Sequence, residues 1–151
     1  MWKNFNLFAE PEKYGQEYVG QQLQDIITIL VKSQNYLFRI SAIRGLQICG
    51  RILHAEKKLV PVLMEVLSAT KEEKVPNVQM ELNTCLAMTH QYLEKEFLNG
   101  EVRDRLEKYT IDPEFDTSYF AKKALVVIFN MSFSEFFSVD KKELKFELYD
   151  Y

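Results

Sequence analysis

The chain has 151 residues, of which 47% are apolar and 27% charged, and its formal net charge is −3. That is enough for one core of ordinary size, and the small charge, with no basic block or aromatic–basic alternation, argues against a nucleic-acid partner. Five glycines and four prolines are few, which predicts long helices and few tight turns. The opening stretch, MWKNFNLFAEPEKYG, has charges and a proline where a signal peptide needs an apolar run. No apolar run is long enough for a membrane span. The expected compartment is the cytoplasm, with the nucleus second.

Residues 1–14 read as a short helix with Trp2, Phe5 and Phe8 on one face, ended by Pro11 and Gly15. From about Tyr18 to Lys32, Leu23, Ile26, Ile27 and Leu30 recur at helical spacing, with Gln21, Gln22, Gln24 and Asp25 toward water. Ser33 and Gln34 connect this to the stretch Asn35–Leu53, NYLFRISAIRGLQICGRIL. Its Leu37, Ile40, Ala42, Ile43, Leu46, Cys49, Ile52 and Leu53 fall on one side of a 3.6-residue spiral.

A second pair opens at Glu56. Leu59, Val60, Leu63, Val66 and Leu67 make its outer helix, and Pro61 is tolerable in the first turn or two because early helical N–H groups have no intrahelical partner. Lys71–Val75 is a charged loop, and Pro76 starts an inner helix that is expected to run to about Lys95. A third pair begins near Phe97 with the charged segment GEVRDRLEKYT. After a loop broken by Pro113, Asp116 stands where it would cap the last inner helix, which carries Phe120, Ala124, Leu125, Val127, Ile128 and Met131. Residues 134–151 break the pattern and are expected to fold back as a cap over the last pair.

The pattern returns at a fixed offset. Leu46, Leu86 and Leu125 superpose 40 and then 39 residues apart, and Gly45, Cys85 and Ala124 coincide in the same register. So do Phe38, Val78 and Thr117, and Ala42, Leu82 and Ala121. A period near forty built from helix pairs is the spacing of HEAT-type repeats. The expected architecture is therefore all-α: an alpha-alpha superhelix, or short HEAT solenoid, of about three helix pairs. Its repeats span roughly 18–54, 56–95 and 97–133 within a domain of 1–133, followed by the non-repeat tail.

Along these helices EKYGQEY (Glu12–Tyr18), NYLFRIS (Asn35–Ser41), LVPVLMEVL (Leu59–Leu67), PNVQ (Pro76–Gln79), EVRDRLEKYT (Glu101–Thr110) and DTSYFAKKAL (Asp116–Leu125) follow in order. Together they resemble the C-terminal repeats of the scaffold subunit of protein phosphatase 2A, over roughly residues 8–130. HEAT repeats are degenerate, so the order and spacing of six segments carry the likeness rather than any one motif. The resemblance implies a non-catalytic scaffold whose partner is a phosphatase catalytic subunit, gripped by the loops between paired helices and by the first turn of each inner helix. It also implies that contacts to regulatory subunits, which use earlier repeats, are mostly lost.

Carried over residue by residue, the resemblance places the partner-binding positions at Tyr36 and Arg39, Val75 and Asn77, and Tyr119. The sequence departs from the family's pattern where Gln79 and Ser118 stand in place of a basic residue matching Arg39. Two readings stay open for several of these. Arg39 either meets a partner carboxylate or pairs with an acid of the adjacent repeat. Asn77 either meets the partner or caps its helix.

Other residues invite bland readings. Cys49 and Cys85 read as buried thiols, with a disulfide between neighbouring repeats as the alternative. Glu72, Glu73, Glu94 and Glu96 read as solvated charges. His54 and His90, near helix ends, have no Cys or His at ligand spacing, so no metal or other cofactor is expected. There is no phosphate-binding glycine loop, GxSxG elbow or Cys–His pairing, so no catalytic residue is assigned. A generic HEAT adaptor for another partner is the competing function. Self-association through the open N-terminal face is a third reading.

Overall fold

The computed structural model describes residues 15–132, and every regular element among them is helical. The expected N-terminal helix of residues 1–14 and the capping tail of 134–151 lie outside the described residues. In chain order the helices are α1 (Gln16–Val31), α2 (Tyr36–Ala55), α3 (Leu59–Ala69), α4 (Pro76–Thr89), the one-turn α5 (Lys95–Phe97), α6 (Arg103–Thr110) and α7 (Phe115–Phe129). No helix among the described residues is long and apolar enough to cross a membrane. The chain divides into two compact units, Met1–Glu81 and Leu82–Tyr151, with α4 running through the boundary.

The inner helices α2, α4 and α7 begin at Tyr36, Pro76 and Phe115, again 40 and 39 residues apart. Of the twelve residues that the sequence register superposes, eleven are buried, Leu46, Leu86 and Leu125 among them. The exception is Phe38, 38% exposed. It belongs to the first hairpin, which has no described hairpin ahead of it to cover that side.

Local chemistry sets most helix ends. Gly15 precedes α1 with φ +80°, a backbone region that suits glycine. Along α1, Val19, Leu23, Ile27 and Val31 are buried at steps of four, while Ile29 stays in solvent. The Asn35 side chain caps α2 by accepting from the Leu37 N–H at 3.0 Å, and Ser33 Oγ accepts from the Asn35 N–H at 3.1 Å. Pro76 is the first residue of α4, where its missing N–H costs nothing.

Two ends differ from the sequence expectation. Helix α4 stops at Thr89, well short of Lys95. The Thr89 hydroxyl donates back to the Cys85 carbonyl at 2.8 Å, a tight 3₁₀ turn follows over His90–Tyr92, and Leu93 is extended and turned inward. The last inner helix starts at Phe115, so Asp116 sits inside its first turn and does not cap it. Asp112 shapes that turn instead, its Oδ1 accepting from the Glu114 N–H at 2.9 Å.

The third outer helix contains an irregularity that periodicity did not announce. Between α5 and α6 the backbone widens into a π turn over Leu98–Val102. Phe97 and Val102 are five residues apart, a spacing that a regular α-helix would splay by about 140°. The wider turn absorbs the extra residue, so half-buried Phe97 and Leu98 share a face with buried Val102, Leu106 and Tyr109.

Polar pairs tie successive hairpins together within each unit, joining residues 34 to 37 apart. In the first unit Lys58 Nζ donates to Gln21 and Gln24, and Arg44 and Gln47 both bind Glu81. In the second, the buried Asn83 Nδ2 donates to the Thr117 carbonyl at 3.2 Å.

Cys49 and Cys85 are both buried and neither is in a disulfide. Burial pushes the Cys49 thiol from its ordinary value near 9.0 up to about 12. In the unfolded chain that thiol ionises first, so between those values the folded state holds the extra proton. Stability therefore falls with rising pH across this window, by roughly 1.4 kcal/mol per pH unit from this group. Chemical denaturation of the parent and of Cys49→Ala at pH 8 and pH 10.5 checks this, because the variant lacks that part of the slope. A thiol-specific reagent at pH 8 is expected to label neither cysteine in the native protein and both after unfolding.

Candidate interaction surface

The five positions implied by the resemblance fall at the starts of inner helices. Tyr36 is the first residue of α2 and 41% exposed. Leu37 beside it is more exposed still, and Phe38 adds a third large apolar side chain to the same turn. Val75 directly precedes α4 and is half-buried. Asn77, the second residue of α4, is exposed and lies inside the helix rather than at its capping position. Tyr119 lies one turn into α7, half-buried, stacked on Phe115 with ring centroids 5.8 Å apart and edge-on to Phe120 at 5.6 Å.

Arg39 behaves differently. Its Nε and Nη2 donate to Glu73 Oε1 at 2.7 Å and Oε2 at 2.9 Å, a two-pronged pair. Its Nη1 donates to the carbonyls of Ser33 and Gln34, both at 3.0 Å. The guanidinium is thus engaged by its own chain, and the acid it pairs with belongs to the adjacent repeat. Glu73, read from sequence as a solvated charge, has a side chain only 5% exposed. Its Oε2 also accepts from the backbone N–H groups of Lys74 and Val75, at 3.2 Å each. One buried carboxylate therefore organises the whole turn that leads into α4.

The same device recurs at equivalent positions. Arg39, Gln79 and Ser118 are each the fourth residue of their inner helix, spaced 40 and 39. Gln79 Nε2 donates to the Glu73 carbonyl at 2.8 Å, and Ser118 Oγ donates to the Thr110 carbonyl at 2.7 Å. All three side chains reach back to a carbonyl upstream of their helix, within the connection for Arg39 and Gln79 and at the last residue of α6 for Ser118. The departures from a basic residue at Gln79 and Ser118 keep this function while changing the charge. Of the first two residues of each inner helix, Tyr36 and Leu37, Asn77, and Phe115 and Asp116 are exposed.

Hollows open beside two of these elements among the described residues. One, of about 470 Å³, opens beside Arg39 and Glu73 and is lined by Lys32, Ser33, Glu65 and Glu72 among others. The second, of about 390 Å³, lies over the π turn and is lined by Glu94, Glu96, Phe97, Gly100, Glu101 and Asp104. Among the described residues no group of three or more His, Cys, Asp or Glu side chains could hold a metal ion.

Sequence reasoning missed Glu73, and also the exposure of Leu37, Ile111 and Phe115. The signal for Glu73 was present as an acid in the turn one repeat beyond a helix-start arginine. Comparison of the chain with protein-family models, with curated proteins and with solved structures gives no match.

Proposed function

We propose that the chain is a non-catalytic scaffold, a short HEAT-type solenoid that holds the catalytic subunit of a serine/threonine phosphatase of the 2A type. The observation that carries this reading is the repeated helix start. Three times, at intervals of 40 and 39 residues, an inner helix opens with exposed side chains while its fourth residue reaches back to a carbonyl upstream of it. The six sequence segments that resemble the phosphatase scaffold include these same starts. The mechanism is positional. A pinned turn loses little conformational freedom on binding, so an aromatic or aliphatic anchor there contributes more of its burial to affinity.

A second reading, an adaptor for a different protein, is favoured by one observation. The cation that the resemblance would offer to a partner, Arg39, is neutralised by Glu73. The electrostatic part of a phosphatase contact is therefore weaker here than the resemblance implies.

The test is direct. The purified chain and a 2A-type catalytic subunit are titrated by calorimetry, with Tyr36→Ala/Leu37→Ala as the variant. Loss of two central anchors is expected to weaken binding about thirtyfold while helicity is unchanged. Arg39 is left intact, since removing it disturbs the turn itself. No binding by the parent chain, together with recovery of another protein from the source cell, would favour the adaptor.

A further inference from the structure

The hollow of about 470 Å³ lies within the first unit, where two outer helices end. Val31 and Lys32 bring the C-terminus of α1 to it, and Ser68 and Ala69 bring the C-terminus of α3. A helix presents the negative end of its dipole and its last carbonyls at that terminus, so both ends favour a cation. The side chains add to the same potential. Two cations, Lys32 and Arg39, share the lining with three carboxylates, Glu65, Glu72 and Glu73.

These groups are not equally engaged. Arg39 is held by Glu73 and by the Ser33 and Gln34 carbonyls, and Glu73 is taken up by Arg39 and the turn before α4. Lys32 Nζ lies 3.3 Å from Glu65, but both side chains are half exposed or more, so water weakens that pair. Glu72 is exposed and makes no hydrogen bond or ion pair among the described residues. The hollow therefore offers one free carboxylate, a second that is loosely held, and two helix ends of the same sign. An anion is repelled there. A divalent metal ion finds no group of three or more His, Cys, Asp or Glu ligands among the described residues. The chemistry that fits is an organic cation, and a guanidinium fits best, because its planar fork can meet two carboxylates at once. Arg39 already binds Glu73 in this two-pronged way on the wall of the same hollow.

We propose that this hollow receives an arginine side chain of a bound partner protein, with Glu72 and Glu65 as its acceptors and Lys32 displaced from Glu65. The proposal deepens the scaffold reading and rests on one part of it, that the start of α2 is a docking surface. Tyr36 stands one turn before Arg39 on that helix. The partner that covers Tyr36 and Leu37 thus also carries an exposed arginine, and charge complementarity across the hollow sets its register.

The experiment needs no phosphatase. The full chain, isotopically labelled, is titrated with the dipeptide N-acetyl-Leu-Arg-amide at low salt and followed by NMR. Saturable shifts are expected at the amides of 31–33 and 68–73, and none with the same dipeptide carrying neutral citrulline in place of arginine. Glu65→Gln/Glu72→Gln is expected to weaken the arginine response about fivefold, and Lys32→Gln, which removes the internal competitor, to tighten it about twofold. Circular dichroism of these surface variants is expected to match the parent. The proposal is overturned by the absence of a saturable shift, by an equal response to the citrulline dipeptide, or by an unchanged response in the Glu65→Gln/Glu72→Gln chain. Its failure is distinguishable from failure of the scaffold reading. A catalytic subunit that binds while the dipeptide is silent removes the arginine site alone, and a dipeptide that binds while the catalytic subunit does not keeps the site and removes the phosphatase.

Discussion

Replacing Glu73 by Ala is expected to lower the stability of the first unit by about 3 kcal/mol, in the range for breaking a buried ion pair from one side. Three losses combine. The Arg39 guanidinium, 15% exposed, is left without its carboxylate. The N–H groups of Lys74 and Val75 lose their acceptor. The turn before α4, which Gln79 pins through the Glu73 carbonyl, keeps that one tie alone. The internal control is Glu65→Ala. Glu65 pairs with Lys32 at 3.3 Å, but both side chains are half exposed or more, so its removal is expected to shift stability by less than about 0.5 kcal/mol. Urea denaturation of the two variants separates these outcomes. Equal, small effects would mean that water screens the Arg39–Glu73 pair as it does Lys32–Glu65.

A double replacement sharpens the point. Arg39→Met/Glu73→Leu removes both charges, and a pair valued only for its mutual attraction would regain nearly all the lost stability. Here the recovery is expected to be partial. Arg39 also pins the Ser33 and Gln34 carbonyls, and Glu73 also holds two backbone N–H groups. The shortfall measures the turn clamp separately from the ion pair.

These residues also show what was legible in the sequence. The helix pairs and their 40- and 39-residue register could be read because apolar spacing is a local property, carried by neighbours such as Leu82, Cys85 and Leu86. The all-α class followed from the same signal. Glu73 could not be placed that way. Its burial depends on how the Lys71–Val75 loop bends back toward α2, across 34 residues of chain, and a lone Glu in a charged loop looks solvated. The π turn at Leu98–Val102 was hidden for a related reason. Phe97 and Val102 do not share a face in a regular helix, so their spacing read as noise until the wider turn brought them together. The starts of the first two inner helices were located within a residue, at Tyr36 and Pro76, whereas the third begins at Phe115, ahead of the expected Asp116 cap. Which side chain there turns outward and which reaches back was not legible, because Arg39, Gln79 and Ser118 share a geometric role without sharing a chemistry.

The matched leucines supply the largest expected effects. Leu46→Ala, Leu86→Ala and Leu125→Ala each remove a fully or almost fully buried side chain, and each is expected to cost about 3–5 kcal/mol from lost transfer energy and the cavity left behind. Leu37→Ala, which trims a side chain 54% exposed, is expected to cost less than about 1 kcal/mol. The pattern of unfolding carries more than the sizes. In a stack of repeats, stability is a sum of repeat terms and nearest-neighbour terms, and strong neighbour terms make the array melt together. The superhelix reading therefore expects all three variants to lower one shared transition, by roughly 10 °C each. The contrary result is specific. If Leu46→Ala moved only a transition reported by the first unit, and Leu125→Ala only one reported by the second, the two units would be independent bodies. The helix starts of α2 and α7 would then have no fixed spacing to offer a partner. Calorimetry of the three variants, with hydrogen exchange assigning each transition to its helices, decides between a scaffold that positions a bound enzyme and two small helical domains on one chain.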